Sequence, residues 1–139
     1  MRAISGSQAR LTAQVLLIFL ALDVGIFLLG FPRVYRFVQS RRRVSRAVGS
    51  PARGRVVART VEAVRTATRY YYRRRRDCLP RALTACLLLW RGGVPATLHI
   101  GVKRYPFGAH AWVECDGQTV IGDTRDDWRQ EPYVPIIST

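Results

Sequence analysis

DCLPRALTACLLLWRGGVPATLHIGVKRYPFGAHAWVECDGQTVIGD, residues 77–123, passes from a helical to a strand pattern within one stretch. Pro80 suits a first helical turn, where its missing N–H has no partner to lose. Leu83, Leu87 and Trp90 recur at helical spacing, and Gly92-Gly93 stop the run. The segment VPATLHIGVK then alternates as a strand does, and strands are expected near 95–103, 109–115 and 118–122. Between the last two lies Asp116-Gly117. That pair is a two-residue hairpin signal, because both central residues of a type I′ turn need positive φ. The predicted fold class is α+β: N-terminal helices, then a helix led by Cys78 and packed on a short antiparallel sheet. The tail from Trp128 to Ile137, with Pro132 and Pro135, is expected to lie over the sheet as an extended segment.

Cys78, His110 and Asp123 stand where a Cys-His-Asp site needs them: a cysteine at a helix start, a histidine on a strand, an acid on the next strand. A two-residue loop pairs Cys115 with Gln118. An unbroken ladder then keeps the paired numbers at a constant sum, and His110 faces Asp123. Directly opposed residues have Cβ atoms about 4.5–5.5 Å apart, near enough for a carboxylate to accept the imidazole Nδ1 proton. A three-residue loop or a bulge shifts this register. At a helix N-terminus the free N–H groups and the dipole favour a thiolate. Arg73 to Arg76 upstream and Arg81 just inside add positive field, and His110 completes a Cys-His pair.

The other candidates read as structural. Cys86 lies inside an apolar helix, and Cys115 points to the strand face opposite His110; both read as small core hydrophobes. His99, in an alternating strand, reads as a structural histidine. Zinc would want close pairs such as C-x2-C or H-x3-H. None occurs among the three cysteines and two histidines, so no metal or other cofactor is expected.

Charge divides the chain. Residues 1–76 carry 17 arginines against Asp23 and Glu62, while residues 77–139 carry 6 basic and 7 acidic side chains. The positive field thus belongs to the N-terminal half and suits an anionic partner. Nucleic acid is not expected, since no recognition motif is present and Lys103 is the only lysine. Val15 to Gly30 is apolar apart from Asp23. As a helix it spans about 24 Å, short of a hydrocarbon core of about 30 Å. Packing on the domain or a partner is expected, with membrane association and a cleaved signal as the rival readings, though Gly-Phe-Pro-Arg is a poor cleavage site. Phe31-Pro32 should end that helix, residues 40–54 read as a linker, and Val57, Val61, Val64 and Tyr71 predict a helix over 55–74. The expected division is 1–54 for the apolar helix and basic linker, and 55–139 for the core. An odd number of cysteines without paired spacing points to a reducing compartment, hence a cytoplasmic protein, with membrane association as the alternative.

The Cys-Leu-Pro-Arg-Ala-Leu helix start, the Gly-Val-Pro-Ala strand entry, Ile100-Gly101-Val102 and the Ala-His-Ala-Trp-Val-Glu strand together resemble the lasso-peptide leader peptidases. The resemblance covers roughly residues 77 to 135. These are bacterial cysteine proteases with a transglutaminase-like, papain-related core. It implies leader removal from a ribosomally made precursor peptide, with Cys78 as nucleophile, His110 as base and Asp123 as orienting acid. Asp126 or Asp127 takes the acid's place if Gly122-Asp123 forms a turn. The resemblance also implies a split form that works with a separate leader-recognition protein and an ATP-dependent cyclase. Two other readings stand beside it: a non-catalytic peptide-binding or membrane-docking subunit of the same fold, and a transglutaminase-like acyl transferase.

Overall fold

The computed structural model describes residues 6–41, 49–71, 78–103, 108–121 and 134–138. These form four helices followed by four strands: α1 (Gly6–Leu29), α2 (Phe31–Ser40), α3 (Ser50–Tyr71), α4 (Cys78–Arg91), β1 (Thr97–Lys103), β2 (Gly108–Cys115), β3 (Gln118–Ile121) and β4 (Val134–Ser138). The architecture is α+β, as expected.

Helix α4 is the centre of the packing. It lies between the layer of α1 and α3 and the sheet, with β2 as its main sheet contact. Buried side chains therefore run round its circumference, from Pro80, Ala82 and Leu83 to Leu88, Leu89 and Trp90. A helix covered on several sides needs no amphipathic stripe. Burying each Leu or Trp contributes about 1.5–3 kcal/mol. The one hydroxyl drawn inside, on Thr84, donates to the Pro80 carbonyl at 2.7 Å. The helix ends as Gly92-Gly93 predicts: Gly93 takes φ +79 and the Val94 N–H donates to the Leu89 carbonyl at 2.9 Å. The Trp90 indole N–H donates to the Ala96 carbonyl at 3.0 Å and ties the turn to the start of β1.

The sheet order is β3-β2-β1-β4, antiparallel throughout. Residues of β2 alternate. Ala111, Val113 and Cys115 enter the core beneath α4, while His110, Trp112 and Glu114 belong to the other face. The Asp116-Gly117 turn forms as expected, with φ +51 and +76, and Cys115 pairs with Gln118.

Three expectations need correcting. Of the tail expected over Trp128 to Ile137, residues 128–133 lie outside the described residues, and the part from Val134 is not a strap over the sheet. Val134–Ser138 is an edge strand hydrogen-bonded to β1, with Gly101 opposite Pro135 next to a register shift. An edge position beside a bulge is where a strand tolerates a residue with no N–H. Pro32 does not simply end a helix. It sits in the first turn of α2, whose Val34 and Val38 (spaced i, i+4) are buried. The helix expected over Val15–Gly30 runs Gly6–Leu29, and the one expected over 55–74 runs Ser50–Tyr71, so the linker read over 40–54 is already helical from Ser50.

Candidate active site

Cys78 is the first residue of α4, and its thiol meets β2. It is hydrogen-bonded to the His110 side chain and accepts from the backbone N–H of Ala111. Partial burial pushes the thiol pKa up. The His110 and Ala111 hydrogen bonds and the charges of His110 and Arg81 together outweigh that, and the net displacement is downward. This is the environment of a reactive cysteine: half-buried, at a helix N-terminus, beside an imidazole and a guanidinium. β2, which carries His110 and Ala111, is the strand α4 contacts most, and Arg81 lies one helical turn past Cys78, where i, i+3 residues share a face.

The other two thiols are different. Cys86 and Cys115 are both buried in the core, and neither forms a disulfide. Burial raises the Cys115 pKa, Asp116 raises it further, and Arg53 only partly opposes them.

The expected acid behaves less simply. The hairpin register holds for Cys115↔Gln118 and Glu114↔Thr119. It then shifts, so that Val113 pairs with Ile121 and Val120 is the extra residue. The constant-sum rule that set His110 opposite Asp123 therefore breaks three residues short of His110. Asp123, Asp126 and Asp127, and the Arg73–Arg76 cluster, lie outside the described residues.

The structure also brings together side chains that were not singled out as a group. Trp112 stacks against His110 at 6.2 Å between ring centres and against His99 at 5.3 Å, with interplanar angles of 17° and 24°. Glu114 holds both neighbours: its carboxylate accepts from the Trp112 indole at 3.2 Å and lies 3.3 Å from His99 Nε2. His99 Nδ1 is 2.7 Å from the Ser138 hydroxyl on β4. A row of three rings thus runs from His99 on β1 to His110 on β2, anchored at its His99 end by a carboxylate and a hydroxyl. The signal was in the sequence. His110, Trp112 and Glu114 alternate in AHAWVE and must share a face; only the arrival of His99 and Ser138 needed the sheet order. Among the described residues no cluster of three His, Cys, Asp or Glu side chains could hold a metal ion.

A groove of about 350 Å³ opens beside β3, lined by Arg65, Arg69, Arg81, Thr68 and Val120 among others. Arg81 belongs to both the groove and the surroundings of Cys78. A larger cavity of about 590 Å³, between α3 and the hairpin, includes neither Cys78 nor His110.

Comparison with known proteins agrees with this layout. A family model described as the transglutaminase-like superfamily matches residues 18–137, from the middle of α1 to β4. No curated protein and no solved structure matches the chain.

Proposed function

The chain belongs to the transglutaminase-like superfamily, and we propose that within it the protein is a cysteine peptidase that removes the leader from a ribosomally made precursor peptide in lasso-peptide maturation. The observation that carries this reading is the hydrogen bond between Cys78 and His110 at the start of α4. The motifs of residues 77–135 supply the substrate class.

The chemistry follows from that pair. The Cys78 thiolate attacks the carbonyl carbon of the last leader residue, and the carbonyl π electrons move to oxygen. Free N–H groups at the start of α4 suit the developing oxyanion. Collapse breaks the C–N bond while the His110 imidazolium gives its proton to the departing amine, which leaves as the new N-terminus of the core peptide. A water then attacks the thioester, losing its proton to His110. The thiolate leaves, and a carboxylate ends the leader. Asp123 is the proposed orienting acid, holding the tautomer in which the histidine nitrogen facing the thiol can accept. A separate leader-recognition protein presents the substrate, and an ATP-dependent cyclase receives the product.

An acyl transferase would share every step to the thioester and differ only in the acceptor. The deciding experiment is mass spectrometry of the precursor peptide after incubation with the protein and its leader-recognition partner. The expected products are a leader ending in a free carboxylate and an intact core peptide, with none formed by Cys78→Ala. A leader captured as an amide by an added amine, in preference to water, would establish acyl transfer. Continued cleavage by Cys78→Ala would overturn the mechanism.

A further inference from the structure

Helix α1 is long and apolar enough to cross a membrane: its 24 residues extend about 36 Å, against about 30 Å of hydrocarbon. Its packing argues against that use. Val15, Phe19 and Leu22 are 0%, 0% and 7% exposed and belong to the same core cluster as α3 and α4. The superfamily match also begins inside α1. A spanning or cleaved α1 would take a wall of the domain with it.

The opposite side of the helix is equally apolar but uncovered. Leu17, Leu20, Val24 and Leu28 follow each other at i, i+3, i+7 and i+11 and form one stripe. Leu28 is 70% exposed and the adjoining Phe27 is 88% exposed. At Gly30 the chain turns into α2. Its Val34 and Val38 point inward, and Arg33, Arg36, Phe37 and Arg41 are exposed. The Arg41 guanidinium lies 5.1 Å from the Phe37 ring centre. From Val24 to Val61 the sequence has nine arginines and no acidic residue.

An apolar stripe continued by an arginine-rich, acid-free segment complements one kind of surface. We propose that the α1–α2 corner docks the protein on an anionic lipid bilayer. Helix α1 lies along the interface, with Phe27 and Leu28 in the acyl boundary and the α2 arginines at the phosphates, while the Cys78 side of the domain stays in water. The pattern is that of an interfacial helix: apolar side down, cationic side chains reaching to the headgroups. A protein partner would cover the apolar stripe as well, but it would not explain so long a run of one charge sign. The proposal does not depend on which reaction Cys78 performs.

The test is vesicle flotation of the full chain, using phosphatidylcholine vesicles with and without added phosphatidylglycerol. Wild type should float with the anionic vesicles and not with the neutral ones. It should be released at about 1 M salt, where screening acts within about 3 Å. Each juxtamembrane arginine is worth roughly fivefold in partitioning, so Arg33→Gln/Arg36→Gln/Arg41→Gln should weaken it about a hundredfold. Phe27→Ser/Leu28→Ser should abolish flotation. In both variants the circular dichroism spectrum and the rate of Cys78 alkylation should equal those of wild type, showing an intact fold. Three results overturn the proposal: equal flotation with neutral vesicles; resistance to salt and alkaline extraction, the mark of a spanning helix; or no flotation together with a soluble dimer that Phe27→Ser/Leu28→Ser dissociates, which would assign the stripe to a second copy.

Discussion

At the scale of the residue, three chemically identical thiols are given three different reactivities by position. Cys78 has a histidine, a backbone N–H and an arginine drawing its proton away, and stays partly accessible. Cys86 is enclosed in the core, and Cys115 is both enclosed and raised in pKa by burial and Asp116. Thiolate forms as pH rises through the pKa, so a lowered pKa brings reactivity at lower pH and a raised one delays it. A limiting amount of iodoacetamide at neutral pH should therefore label Cys78 alone. Peptide mapping checks this, and label on Cys115 in the folded protein would contradict the assignment. Cys78 and His110 were legible in the sequence because each rests on a short-range signal, a helix start and a strand run. Asp123 was argued from register, and register is lost to a single extra residue, here Val120. If Asp123 orients His110, Asp123→Asn should lower turnover by orders of magnitude through loss of tautomer control, with Asp126→Asn and Asp127→Asn mild. A comparable loss in either of the latter would transfer the role.

At the scale of the element, the helix α4 and the hairpin were readable because their ends carry their own chemistry. Pro80, Gly92-Gly93 and Asp116-Gly117 each demand a local conformation. The edge strand β4 was hidden because Pro135, with Pro132 shortly before it in the sequence, suggests loop; that an edge could accept Pro135 depends on which strand stands beside it. Likewise Pro32 is ambiguous alone, since the same residue follows one helix and opens the next. Gly92 has a second task beyond stopping α4. A Cβ there would lie 2.6 Å from Val56 Cγ1 on α3, too close for either helix to ignore. Val56 is β-branched and rotationally stiff in a helix, so it cannot easily swing away. Gly92→Ala should cost about 1–3 kcal/mol by overpacking. Urea denaturation of Gly92→Ala, Val56→Ala and the double variant provides the check. The double variant should be less destabilised than the sum of the singles; strict additivity would show that the two positions do not meet.

At the scale of the whole molecule, one hydrophobic cluster runs from Val15 in α1 through α4 to Cys115 in β2. The basic N-terminal half and the nearly neutral C-terminal half are distinct in charge but share that core. The sequence could show the charge division, which is a matter of counting, but not the shared burial: α1 is apolar on every side, so its pattern does not reveal which side meets α3 and α4. Phe19, fully buried, is the largest side chain α1 places in the cluster. Phe19→Ala should destabilise the protein by about 3–5 kcal/mol. Tryptophan fluorescence, which reports Trp90, Trp112 and Trp128 far along the chain, should shift its urea midpoint together with circular dichroism. Two separate transitions, with only the helical signal moved by Phe19→Ala, would mean that α1 folds apart from the site it is held to support.

The central claim is that His110 makes a nucleophile of Cys78, and the pH dependence of Cys78 alkylation tests it most directly. In wild type the midpoint should lie below the ordinary thiol range. In His110→Ala its hydrogen bond and its charge are gone, while burial, the Ala111 N–H and Arg81 remain, so the midpoint should rise, with reactivity at neutral pH falling accordingly. A midpoint that stays in place when His110 is removed would contradict the account.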